Sequence, residues 1–523
     1  MIPKTITVCP GAGVCDFTSI DTAANDMNTN PGDSLEVSAG TYNEQVNVPK
    51  KLNIFGRPGD PMPVITYDTV DRFAVSVKLA AAGTTLRRLD IRETATDGFA
   101  LEALGSITAS DLKLTGVAGC AVLFTPTPSQ LGPNITATLT GSGGAICVHG
   151  GEQSADTLTG LTVTSADAGV QLDHGATLTD STVTGGPALE MVGDGGTARR
   201  VTLDGTGLGL YTFGGTNLIS DSVITSTGAA VRADQGPSSS NTLTMRNVTA
   251  IGSGASSFGM DAVSFAGMPG TGAPATIDAK NAIVRGGEFD VVATPTPSTC
   301  DPGNVCLPGI VNIDHSNFVT TKGTVNTPAD PHNQTADPLF VSGADFHLAS
   351  AASPLIGAGV ADPSNGPTDR DGVPHPNPPT IGAFEHAPAP SGGPGSAVVS
   401  NSLKFGRLKV GRDGTITITA QVGAPGPVSA TATTKPPTHL TSAAKRKKKR
   451  PKKFTYGRAS KTAKAAGTVT LKIHPSRRAK KLLRRGARLK VAIKMRFSPV
   501  GAARNTKSKT VRVKLNLKHK RAH

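Results

Sequence analysis

A repeat of about twenty residues constrains this chain more than any other feature. It is plain in "LTGLTVTSADAGVQLDHGAT" from Leu158, "LTDSTVTGGPALEMVGDGGT" from Leu178, "ARRVTLDGTGLGLYTFGGTN" from Ala198 and "ISDSVITSTGAAVRADQGPS" from Ile219. Each copy holds a short alternating strand, a glycine-rich turn and a second short strand. Taking Val163, Val183, Leu203 and Ile224 as equivalent inward residues, the steps are 20, 20 and 21, and the earlier pair Ile91 and Leu114 is 23 apart. Leucine-rich and ankyrin signatures are absent. One such rung cannot bury its apolar face, whereas stacked rungs align Val, Leu and Ile into a continuous interior. The expected fold is all-β: a right-handed parallel β-helix, or solenoid.

The residue usage agrees. Of 523 residues 61 are glycine and none is tryptophan, with 4 tyrosines and 16 phenylalanines. Small and β-branched residues suit short strands joined by tight corners and argue against helical bundles. A solenoid also needs covered ends. In "DFTSIDTAANDMNTNPGDSLEV", Ile20, Ala23 and Ala24 are at helical spacing ahead of Pro-Gly and a strand, which predicts a short helix over the first rung.

The run from Asp16 to Gly56, with Gly40, Tyr42 and Glu44 as a Gly-x-Tyr-x-Glu core, resembles the opening of pectinesterases and other pectin-lyase-like β-helix proteins. The segments "ADPLFVSGADFHLASAASPLIGAG" from Ala336 and "TDRDGVPHPNPPTIGAFEH" resemble the close of bacterial surface β-helix proteins. Together they place a capped β-helix over residues 1–386. A Pro/Gly/Ser linker follows at 387–397. Residues 398–523 alternate in "GTITITAQV", "GTVTLKIHP", "RLKVAIKMRFSP" and "KTVRVKLNL", which predicts a small antiparallel β-sandwich of immunoglobulin-like type. "PSRRAKKLLRRG" from Pro475 reads as a short helix between strands. This part resembles the basic β-domains at the C-termini of secreted actinobacterial proteins.

Charge divides the chain at the same boundary. Residues 401–523 hold 35 of the 53 lysines and arginines and one acid, Asp413, leaving 18 basic against 37 acidic residues before them. The densest run is a predicted loop at 445–453, with Lys445, Arg446, Lys447, Lys448, Lys449, Arg450, Lys452 and Lys453. It has no interleaved aromatics for base stacking, so specific nucleic-acid binding is not expected. The expected partners are acidic glycans or cell-wall polyanions, held electrostatically. A solvated loop is the competing reading.

Six cysteines lack zinc-site spacing. Cys9 and Cys15 are six apart, as are Cys300 and Cys306, and Cys120 and Cys147 remain; read as three disulfides, whose connectivity the sequence leaves open, they imply an oxidising, secreted or cell-surface location. No export signal is visible in "MIPKTITVCPG", and no stretch reaches the length of a membrane span. A monomer is expected.

The chemistry that the resemblance implies is mostly missing. The pectinesterase runs Gln-Asp-Thr-Leu-Tyr and Asp-Phe-Ile-Phe-Gly do not occur, nor do the paired aspartates and Gly-His-Gly of polygalacturonases. His149 and His174 lie in turns with no carboxylate fixed by spacing. One column remains. Three residues before each inward anchor stand Arg88, Asp111, Gly160, Asp180, Arg200, Asp221 and Asn247. With rungs about 4.8 Å apart, Asp180, Arg200 and Asp221 would sit side by side. They could serve a polysaccharide lyase, with carboxylates holding Ca²⁺ against a uronate and the arginine as base. Because charge alternates along the column, a self-neutralising ladder of charges is the favoured reading. The leading expectation is non-catalytic carbohydrate binding and surface display with no metal or cofactor, and the Ca²⁺-dependent lyase is the alternative.

Overall fold

In a computed structural model of the chain, the described residues are 3–514 apart from 12–14, 70–72, 97, 125–127, 149–154, 236–239, 265–273, 294–308, 329–331, 387–401, 423–425, 437–452, 464–466 and 498–504. The chain divides into two compact units, Met1–Ala389 and Pro390–His523.

The first unit is a parallel β-helix whose rungs each contribute strands to three parallel sheets. The inward anchors align as the repeat requires. Val163 pairs with Val183, Val183 with Leu203 and Leu203 with Ile224, and all four are buried. Ile91 pairs with Leu114 in the same sheet. Burial of such a side chain is worth about 1.5–3 kcal/mol, and the stack extends it through one continuous core from Ile6 to Ile313. Another sheet contains twelve parallel strands.

The bend between the other two sheets is one residue wide. Arg88, Asp111, Asn134, Gly160, Asp180, Arg200, Asp221, Asn247, Asn281 and His315 all have positive φ, from 44° to 64°. A left-handed residue turns the strand sharply, after which the next sheet begins. In the two longest strands, Gly215–Ser226 and Asn241–Gly252, the turn lies within the strand. This conformation costs most L-residues about 1–2 kcal/mol, less for Asn and Asp, whose short polar side chains bond locally. The sequence column is therefore first a conformational one.

The first rung is covered as expected. Helix α1, Ile20–Asn25, buries Ile20, Ala23 and Ala24 and packs on the first strands. Ser19 caps it by accepting from the Thr22 amide. Glu44 completes the cap, accepting from Ser19 Oγ and from the amides of Ile20 and Asp21 at 2.5, 2.8 and 3.2 Å. Tyr42 is buried and donates to the carbonyls of Val8 and Ser38, and burial pushes its hydroxyl up to about 12. Both residues of the pectinesterase-like phrase are thus architectural.

The disulfides Cys9–Cys15 and Cys120–Cys147 are formed. Cys120–Cys147 links adjacent rungs, Gly119–Phe124 and Gly143–Val148. Cys300 and Cys306 lie outside the described residues, as do the linker 387–397 and residues 445–452 of the basic loop.

The second unit has two antiparallel sheets around its own core. One joins Leu403–Val410, Ile416–Val422 and Gly467–Ile473. The other joins Phe454–Ala463, Gly426–Thr434, Leu489–Phe497 and Asn505–Val513. Leu489–Phe497 alternates buried and exposed along its length, turning Leu489, Val491, Ile493, Met495 and Phe497 inward and Lys490, Lys494 and Arg496 outward. Helix α2, Arg477–Arg484, buries Ala479 and Leu483 and leaves its arginines and lysines on the other face. No described helix is long and apolar enough to cross a membrane.

Candidate functional site

The residues of the sequence column do meet, in an arrangement of their own. Arg200 forms a bidentate pair with Asp180, Nε to Oδ1 at 2.8 Å and Nη2 to Oδ2 at 2.9 Å. The Asp180 carboxylate holds the guanidinium further above its ordinary value, and the guanidinium holds Asp180 below the usual carboxylate range. An arginine held this way stays charged and donates. Neighbouring rungs are joined along the same column, Asn134 Nδ2 to Asp111 Oδ1 at 3.0 Å and Asn281 Nδ2 to Asn247 Oδ1 at 2.8 Å.

Asp221 leaves this pattern. It is fully buried, and both oxygens are engaged. Oδ2 accepts from Ser220 Oγ at 2.9 Å and from the Gly366 amide at 3.1 Å, while Oδ1 is 2.9 Å from His375 Nε2. His375 Nδ1 is 2.6 Å from Glu385 Oε1. Burial alone would lower the imidazole's pKa, but the hydrogen bonds to Asp221 and Glu385 outweigh it and raise it to about 9. His375 is therefore an imidazolium clamped between two buried carboxylates.

The closing segment is fixed over the column by these and similar contacts. Val360 N donates to Asn281 Oδ1, Arg370 Nε to Thr202 Oγ1 and the Ala383 amide to Thr249 Oγ1. Asp362 accepts from Lys280 Nζ and from the Ser364 amide, each at 2.9 Å, with Arg246 Nε at ion-pair distance, 3.1 Å; burial alone would raise its carboxyl, but these contacts outweigh it and draw it down to about 2. Inside the segment, Asp369 accepts from the amides of Asp371, Val373 and Glu385. Asp, Gly and His at these spacings build a latch.

Beside the latch lies an open cleft of about 580 Å³. Its floor is the outward face of one sheet, including Thr184, Thr202, Asp204 and Thr225, and its wall comes from the hairpin residues Phe346 and His347 together with Phe384. Strand alternation produces the floor: Val183 and Leu203 point inward, so Thr182, Thr184, Thr202 and Asp204 face out. The His347 ring stacks on Phe384 with centroids 3.8 Å apart. Its Nε2 is 3.1 Å from Asp371 and its Nδ1 2.5 Å from Asp345. The hydrogen bond to Asp371, with that to Asp345, raises His347 to about 9 against the effect of burial. His347 is thus a second clamped imidazolium, unsuited to act as a base near neutrality.

Sequence reasoning missed this cleft because its wall comes from the closing segment, far along the chain from the floor. Alternating threonines were its only legible trace. His174 sits at positive φ in a turn between rungs, and His149 is outside the described residues. Of the basic loop, Lys453 is described, and it is exposed. Other cations of the second unit gather on described elements. Lys494, Arg496 and Lys509 line a concave patch with Thr431, and Arg477, Lys480, Lys481, Arg484 and Arg485 cluster on and just after α2.

No protein-family model and no curated protein matches the chain. Among solved structures it is similar to the pectin methylesterase from carrot, at 11% identity over 47% of this chain and 82% of that one, with a TM-score of 0.22. It is also similar to the catalytic domain of an α-1,3-glucanase in complex with nigerose, at 14% identity over 65% and 68% of the two chains and a TM-score of 0.24. A third likeness is to the tailspike of Acinetobacter baumannii bacteriophage Fri1, a capsular polysaccharide depolymerase, at 7% identity over 98% and 80%, TM-score 0.29. The fold itself rests on the strand register.

Proposed function

We propose that this protein binds a glycan in the cleft beside the latch without cleaving it, and attaches to anionic polymers through its basic second unit. The observation that carries the reading is a hydroxyl-lined floor facing an aromatic wall. Sugar rings offer apolar C–H faces to aromatic side chains and hydroxyls to Thr and Asp oxygens, and the cleft supplies both on opposite sides. Two carboxylates, Asp204 and Asp345, line the cleft beside the imidazolium of His347, so neutral or aminated sugars suit it better than uronates. Acidic polymers belong instead to the second unit, where Lys494, Arg496, Lys509 and α2 provide a positive surface beyond the 445–453 loop. The two disulfides are in keeping with an oxidising compartment and with export to a cell surface.

The test is a glycan array probed with the full chain, carrying neutral, aminated and uronate-containing oligosaccharides. Retention of a neutral or aminated class at moderate salt supports the reading. Uniform failure to bind, or retention of uronates alone, contradicts it.

A further inference from the structure

At the last left-handed turn of the column the residue is histidine. His315 has φ +44° and directly follows Asp314, the end of strand Ile310–Asp314. The rung before it has Asn281 at this position. Around His315 three side chains converge. His315 Nδ1 is 2.9 Å from Asp314 Oδ2, and His332 Nδ1 is 3.3 Å from Asp314 Oδ1. The three donor atoms all lie within 4.8 Å of one another. The two imidazoles stack with centroids 4.1 Å apart and planes 19° from parallel, each with Nδ1 toward Asp314, and a small rotation of one ring would bring both nitrogens onto one ion.

We propose that Asp314, His315 and His332 form a binding site for a divalent transition-metal ion of the zinc class. Hydrogen bonds account for part of the arrangement, since Asp314 Oδ1 accepts from the His315 amide at 2.8 Å and is 3.3 Å from His332 Nδ1, but they leave His315 Nδ1 out. His315 Nδ1 is buried and makes no hydrogen bond, although Asp314 lies within ion-pair distance of it. The short distance without hydrogen-bond direction is what a shared third partner would resolve. Nor is Asp314 neutralised across the sheet. Its register partner there is Lys280, whose ammonium is committed to Asp362 at 2.9 Å.

The donor set selects the ion. Two imidazole nitrogens and a carboxylate suit Zn²⁺ and its neighbours, while Ca²⁺ and Mg²⁺ prefer all-oxygen shells. With Zn–N and Zn–O bonds of about 2.0–2.2 Å, donors in a tetrahedral site stand about 3.4 Å apart; the two imidazole-to-carboxylate distances, 2.9 and 3.3 Å, are near that, and all three donors lie within 4.8 Å of one another. Three protein ligands leave a fourth position for water. The backbone around the donors is well tied. Asn333 accepts from the Ser316 amide at 2.9 Å and donates to the Ile313 carbonyl at 3.0 Å, holding the His332 segment against the end of the strand. A bound ion would join the last rung to that returning segment.

The experiment is isothermal titration of the metal-stripped full chain with Zn²⁺, and separately with Ca²⁺, near pH 7.5. The variants are His315→Asn, His332→Ala and His347→Ala. Asparagine is the residue this column uses at Asn247 and Asn281, so His315→Asn keeps the turn while removing an imidazole. His332 is exposed, so its loss leaves the core intact; circular dichroism checks both folds. One Zn²⁺ per chain is expected, with affinity weakened at least about 100-fold in His315→Asn and in His332→Ala, since even outer-shell partners cost 10- to 100-fold. His347→Ala should bind like the parent, and Ca²⁺ should bind far more weakly than Zn²⁺. Absence of Zn²⁺ binding, binding unchanged in His315→Asn and His332→Ala, or equal affinity for Ca²⁺ would each overturn the proposal.

Discussion

His375 Nε2 lies 2.9 Å from Asp221 Oδ1, although 154 residues separate the two in the chain. This contact joins the middle of the solenoid to its closing segment, and Glu385 holds the other side of the same ring. Removing one member of a buried, paired set leaves the rest charged and unpaired, which typically costs 3–5 kcal/mol. His375→Ala should therefore destabilise the β-helix by about 3 kcal/mol or more in urea unfolding. Adding Asp221→Asn should restore part of that loss, because the two sites are coupled. Additive losses would show that the contact carries no energy.

The same clamp predicts a pH dependence. His375 and His347 titrate near 6.5 in an unfolded chain and at about 9 in the fold. Both bind their proton more tightly when folded, so their stabilisation is full below about pH 6.5 and is lost as pH rises through about 9. The melting temperature should fall between pH 6.5 and 9.5, and the fall should shrink in His375→Gln. A fall of the same size in that variant would assign it to other groups.

At the left-handed turns, side-chain chemistry matters less than backbone tolerance. Asp180→Asn should change stability little, since asparagine occupies the same turn at Asn134, Asn247 and Asn281. Asp180→Val should cost about 1–2 kcal/mol, the usual penalty for a branched residue in this conformation. Comparing the two in thermal unfolding separates the turn's requirement from the Arg200 ion pair. Equal losses would give the ion pair the larger share.

Glu44 predicts a local effect. Its carboxylate accepts three hydrogen bonds at the start of α1, and cap removal typically costs about 0.5–2 kcal/mol. Glu44→Ala should speed amide exchange in residues 19–26 while leaving the rungs beyond Gly56 protected. Exchange that rises evenly over the whole solenoid would contradict a local role.

These examples show how far the sequence could be read. Val163, Val183, Leu203 and Ile224 repeat at a fixed step because each must fill the same layer, so the solenoid was legible. The column from Arg88 to Asn247 was legible too, but its cause was not. Pairing charges looked like a possible site, whereas the common property is a left-handed backbone that also takes Asn134, Asn281 and His315. His375 and the cleft wall were invisible. Nothing in local periodicity reveals that "DRDGVPH" folds back onto rungs well over a hundred residues earlier. The same holds for Phe346, His347 and Phe384, which acquire a role only when set against Thr202 and Asp204.

The central claim is that the cleft binds glycan and the Asp180–Arg200 pair is structural. Its most direct measurement is titration of the full chain with the best oligosaccharide from the array, repeated for Asp204→Ala with Phe346→Ala and for Arg200→Gln. Unsaturated uronate release is followed by absorbance in parallel, with Ca²⁺ present. The account predicts binding lost in the cleft variant, binding kept in Arg200→Gln, and no uronate release from any form. Uronate release by the parent chain that disappears in Arg200→Gln would contradict it.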